Sequence, residues 1–132
     1  MIDTNTLFSI AEKENIDIFD YSFNDNINGV FVEQLRAIGL KPVLNDIERK
    51  CTLAEELGHY YCNATYPLSC TDKTLIDKAE YRAKKWSAKY LISPSDIQRA
   101  KLCGLKQKWE IADFLGVTED VIERAFALQH IA

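Results

Sequence analysis

Residues 45–62 constrain this chain more than any other stretch. Asn45-Asp46-Ile47-Glu48 has the form of a capping box, with Asn45 as N-cap and Glu48 three residues on. The positions Ile47, Cys51, Ala54, Leu57 (or Gly58) and Tyr61 then recur at helical spacing, which predicts a central, buried helix from about Asp46 to Cys62. One turn of it reads Glu55-Glu56-Leu57-Gly58-His59. Residues four apart on a helix point the same way, so Glu55 and His59 can both reach one ion. The turn has the spacing of the His-Glu-x-x-His helix, in which two ligands hold zinc and the glutamate after the first is general base on the water. Here glutamate stands where that pattern has its first histidine. The ligand pair is then Glu55 and His59, with Glu56 as base.

A catalytic ion of this kind usually has three protein ligands. Glu80 is the best candidate for the third. It flanks the apolar stripe Ala79, Ala83, Trp86 and Tyr90 of a second strong helix predicted over Asp77–Ile92, at the border of a helix–helix interface. Asp72, read as a turn residue, and Asp77, read as a charge at the start of that helix, are weaker alternatives. Acidic pairs on helices are commonly just solvated. The apolar stripe beside this one argues otherwise, since carboxylates near a core are costly unless compensated, and a cation would compensate Glu55 and Glu80 together.

Around these helices the chain reads as α+β. A short helix is expected over Thr4–Asn15, an extended segment over Ile16–Phe23, a turn cluster at Asn24-Asp25-Asn26 and a further turn at Asn28-Gly29. A strand begins at Gly29-Val30-Phe31-Val32 and a second is expected over Leu40–Leu44, the two forming an antiparallel hairpin with Pro42 at an edge or strand end. Asn63–Thr74 is a long loop and a candidate cleft wall. Ser93-Pro94 starts another helix, ended by Gly104. Lys108–Leu115 and Glu119–Gln129 form a final pair, split by Gly116 and capped by Thr118. The expected organisation is a core over residues 1–92 and a helical extension over 93–132 packed on the same domain.

The final helix pair has a helix-turn-helix rhythm, but its second helix opens Glu119-Asp120, which would repel phosphate. With a net charge of −4 and 16 scattered basic residues, direct nucleic-acid binding is not expected. No run of about 18 apolar residues exists, and Met1-Ile2-Asp3-Thr4-Asn5 has no leader pattern, so no membrane partner and a cytoplasmic location are expected. Cys51, Cys62, Cys70 and Cys103 form no CxxC pair and read as free thiols, Cys51 and Cys62 as small core residues. Tyr60 or Tyr61 is a candidate donor to an oxyanion, and His130 reads as incidental in a fraying tail.

The segment Lys50–Tyr61 resembles the ImmA/IrrE family of metallo-endopeptidases, found on prophages and integrative mobile elements. Gly29–Val32 resembles that family's glycine-led strand. Glu80–Ala88 followed by Leu91–Pro94 resembles its second helix, and Ile111–Glu119 its C-terminal helical pair. The resemblance implies a mainly helical, zincin-like minimal metalloprotease fold with a small antiparallel sheet. It also implies a metal site of Glu55, His59 and Glu80 with Glu56 as base. The implied substrate is a helix-turn-helix repressor encoded beside the family member. Glu55 departs from the pattern and adds one negative charge to the ligand set. It should make a bound ion a weaker Lewis acid, and it suits Mn2+ or Fe2+ better than a two-histidine set does, with Zn2+ still the first expectation. An inactive member that holds the repressor without cutting it is the alternative.

Overall fold

Local chemistry sets most helix boundaries in the computed structural model, which describes residues 2–22, 26–67 and 69–130. Asp3 caps helix α1 (Thr4–Lys13) by accepting from the Thr6 N–H at 2.8 Å, and α1 buries Leu7 and Ala11. The helix stops short of Asn15 because that residue takes a left-handed conformation, φ 58°, and strand β1 (Asp17–Asp20) follows. Phe23, the end of the expected extended segment, and Asn24-Asp25 of the turn cluster lie outside the described residues.

Strand β2 (Gly29–Val32) forms where expected. The next strand does not. A single 3-10 turn over Glu33–Leu35 and a left-handed Arg36 (φ 45°) reverse the chain at once, so β3 occupies Ala37–Leu40 rather than Leu40–Leu44. Gly39 lies inside this strand, and Pro42, which has no N–H to donate, falls beyond its end. The sheet order is β1-β3-β2. The β2–β3 pair is antiparallel, but β1 runs parallel to β3, so the sheet is mixed rather than wholly antiparallel. β3 is central and buried throughout, leaving β2 as a free edge.

Helix α2 (Asp46–Tyr61) has both bonds of its capping box, Glu48 N–H to Asn45 Oδ1 at 2.8 Å and Asn45 N–H to Glu48 Oε1 at 3.1 Å. It is enclosed by α1, the sheet and α3, so its buried surface is broader than one stripe: Leu53, Glu56 and His59 are buried along with Cys51, Ala54, Leu57 and Gly58. The two ends of the expected stripe are not: Ile47 is 37% exposed and Tyr61 44%. Helix α3 (Lys73–Leu91) starts a turn earlier than expected because Asp72 caps it, accepting from the Thr74 and Leu75 N–H groups. It buries Ala79, Ala83, Ser87, Ala88 and Leu91. Gly58 brings it close to α2, since a Cβ there would stand 2.5 Å from the Ala83 carbonyl oxygen.

Helices α4 (Pro94–Leu102), α5 (Lys108–Leu115) and α6 (Glu119–Leu128) complete the chain. Ser93 and Thr118 cap α4 and α6, and Gly116 ends α5 in a left-handed conformation, φ 67°. Their buried faces join one core that runs from Leu7 to Phe126. The result is an α+β fold, mainly helical, with a small three-stranded sheet. All four cysteines are free. Cys51 is buried as expected, whereas Cys62 caps the end of α2 and is only half-buried. Among the described residues no helix is long and apolar enough to cross a membrane.

Candidate metal centre

Glu55 and His59 lie one turn apart on α2, and α3 brings Glu80 against them. One donor atom from each lies within 4.8 Å of the other two, the only such group among the described residues. His59 is buried. Its Nδ1 lies 2.7 Å from the Ala64 carbonyl oxygen, which can only accept, so Nδ1 carries hydrogen and Nε2 is turned to the cluster. Nε2 is 3.4 Å from Glu80 Oε2. The other Glu80 oxygen, Oε1, accepts from the Tyr66 hydroxyl at 2.6 Å. One nitrogen and two carboxylates are a donor set that fits a divalent ion.

Glu56 stands beside this group and is buried. With Gly29, Phe31, His59, Tyr66 and Glu80 it lines a cavity of about 40 Å3. The Phe31 main-chain N–H bonds its carboxylate. This follows from the sheet register. Lys41 N–H donates to the Asn28 carbonyl, so Asn28, Val30 and Val32 turn their main-chain groups to β3. Gly29 and Phe31 therefore turn theirs to the open edge.

The cluster holds protons where a cation would compensate it. Burial pushes Glu56 up to about 8. Burial also pushes Glu55 up to about 7, with the Lys84 ammonium opposing the shift and Glu80 reinforcing it. Burial would raise Glu80 too, but its bonds from His59 and Tyr66 outweigh that and hold it near 2. Burial would lower His59, but its bond to Glu80 and the neighbouring Glu56 overcome this and lift it to about 9. Near neutral pH the ligand-free group is thus an imidazolium–carboxylate pair flanked by two carboxyls that keep much of their protonation.

The other candidates have different work. Asp72 caps α3, and Asp77 pairs with Lys73 at 3.0 Å. The Tyr60 hydroxyl donates to Glu14 at 3.1 Å, with Arg36 over its ring, and Tyr61 stacks on Trp86 with centroids 5.1 Å apart. Neither tyrosine reaches the group. The one that does is Tyr66, in the loop read as a cleft wall; nothing in the spacing of that loop singles it out. Glu119 and Asp120 are exposed at the start of α6, whose Val121, Ile122, Ala125 and Phe126 are buried.

The sequence matches the IrrE N-terminal-like domain, peptidase family M78, over residues 3–126. The chain therefore belongs to that metallopeptidase family. No curated protein matches it.

Proposed function

We propose that this chain is a metal-dependent endopeptidase that cuts a helix-turn-helix repressor of a prophage or mobile element in the cytoplasm. Glu55, His59 and Glu80 are its metal ligands and Glu56 its general base. The observation that carries the reading is the meeting of three donor atoms within 4.8 Å beside a buried carboxyl. A divalent ion held there would supply a Lewis acid for the peptide carbonyl and for water. Zn2+ is the first expectation, and the two carboxylates also suit Mn2+ or Fe2+.

The residues divide the remaining work. Ala64 holds the His59 ring in the tautomer whose Nε2 can ligate. The Glu56 carboxylate takes a proton from the attacking water as its oxygen bonds the peptide carbon, and returns it to the amine nitrogen as the C–N bond breaks. Gly29, and Phe31 through its carbonyl, turn main-chain groups to the open edge of β2 and can pair with an extended peptide segment. The repressor as substrate rests on the family resemblance.

Glu55 favours one second reading, a chain that binds the repressor without cutting it. Its extra negative charge lowers the Lewis acidity an ion would have there. One experiment separates the two. The purified chain and Glu56→Gln are each incubated with the neighbouring repressor, with Zn2+ or with chelator, and the products are resolved by mass spectrometry. Cleavage by the unaltered chain that chelator and Glu56→Gln both abolish is the expected result. A stable complex with no cleavage under any divalent ion would favour the binding protein.

A further inference from the structure

Tyr66 is held at the cluster by its surroundings as much as by its own bond. Its hydroxyl donates to Glu80 Oε1 at 2.6 Å, and its ring meets His59 edge-on, centroids 6.2 Å apart at 77°. The residues just before it are tethered. The Ala64 carbonyl takes the His59 Nδ1–H, and Thr65 Oγ1 donates to Glu33 Oε2 at 3.3 Å. Tyr66 is half-buried and shares the cavity that Glu56, His59 and Phe31 line.

We infer that Tyr66 is a catalytic residue whose hydroxyl donates a hydrogen bond to the oxygen of the scissile carbonyl as that oxygen becomes negative. The inference rests on the peptidase reading above. Preorganised donors aimed at developing charge are among the largest contributions to acyl-transfer catalysis. Tyr60 donates its hydroxyl to Glu14, and the Tyr61 ring stacks on Trp86. A phenol carries its hydrogen at neutral pH, so the Tyr66 hydroxyl is a donor. A cation held by Glu80 would leave Oε1 with less charge to offer the hydroxyl, which could then serve a substrate oxygen in the same cavity. No proton changes hands at Tyr66. The proton delivered to the leaving nitrogen is the one Glu56 carries.

The test uses the full chain with Zn2+ and the neighbouring repressor, comparing the unaltered protein with Tyr66→Phe. Cleavage is timed, Zn2+ affinity is read by chelator competition, and binding is measured for a phosphinic peptide built on the mapped cleavage site. The expected result is a kcat about a hundredfold lower, with KM and the Zn2+ Kd unchanged within roughly threefold. Phosphinic-peptide affinity should fall by the same factor as kcat, because that group mimics the tetrahedral oxygen. An unchanged kcat overturns the inference. So does a Zn2+ Kd weakened about tenfold with cleavage restored by saturating Zn2+, since Tyr66 would then only position Glu80. Failure of the unaltered protein to cut defeats the peptidase reading and this inference together; normal cutting by Tyr66→Phe defeats the inference alone.

Discussion

His59 Nε2 stands 3.4 Å from Glu80 Oε2 across the α2–α3 interface, a charged pair in the position a shared ion would take. An ion must displace what holds that pair together. His59 keeps its proton up to about 9 and Glu55 up to about 7. Ion affinity should therefore rise with pH. Zn2+ binding should release about three protons near pH 6, from His59, Glu55 and Glu56, and about one to two near pH 8, measurable by calorimetry in buffers of different ionisation enthalpy. Affinity that does not change with pH would contradict the proposed ligand set.

The approach of α3 to α2 depends on Gly58. Replacing a glycine in a helix interior by alanine ordinarily stabilises by up to about 1 kcal/mol. At Gly58 the new Cβ would lie 2.5 Å from the Ala83 carbonyl oxygen and 3.1 Å from its Cα, both of them backbone atoms. Gly58→Ala should therefore destabilise, by roughly 1–3 kcal/mol in urea unfolding. It should also weaken Zn2+ binding by moving Glu80 away from His59. A Tm equal to or above that of the parent would show that the helices can separate without cost.

What could be read from the sequence is what local chemistry decides. Asn45, Ser93, Thr118 and Gly116 mark helix ends through bonds or dihedrals within four residues of themselves, and each does so in the fold. Glu55 and His59 were legible because their relation is one helical turn. Glu80 was legible because it borders an apolar stripe. The features that escaped depend on distant partners. The β3 boundary depends on Arg36 turning left-handed, and Arg36 Nη2 bonds the Glu14 carbonyl. Tyr60 is drawn off the site by Glu14, and Tyr66 is drawn on to it by Glu80. Tyrosines in a loop and at a helix end offer no spacing from which such choices follow.

Glu56 links the site to stability. Its carboxyl ionises near 4.5 in an unfolded chain but at about 8 when buried in the ligand-free fold. Between those values the folded state holds a proton that the unfolded state lacks, so stability falls as pH rises. His59, at about 9 against 6.5, acts in the same direction between those two values. Glu80, held near 2 against 4.5, acts the other way, and its contribution is lost as pH falls through that range. The ligand-free protein should therefore be most stable near about pH 5 and weaken toward pH 9. Glu56→Gln should remove the Glu56 share of the decline between pH 4.5 and 8 and leave the shares of Glu55, raised from 4.5 to about 7, and of His59. A decline as steep in Glu56→Gln as in the parent, followed by urea unfolding at each pH, would show that another group carries it.

The α5–α6 pair should not read DNA. A recognition helix presents its first turn to phosphates and base edges, whereas α6 opens with the exposed acids Glu119 and Asp120. Its Val121, Ile122, Ala125 and Phe126 are buried in the core, and α6 packs against α3. Lys108, the cation at the start of α5, pairs with Glu123 at 3.7 Å and lies near the Phe126 ring. Placing the first turn of α6 on a duplex would bring like charges together. Anisotropy with a labelled duplex from the repressor's own operator should show no binding at about 0.15 M salt. Retention there, weakening steeply as salt is added, would mean that a different face carries a phosphate site. Charge reversal at Glu119 and Asp120 would separate that case from a role for α6, since only contact through α6 would respond to it.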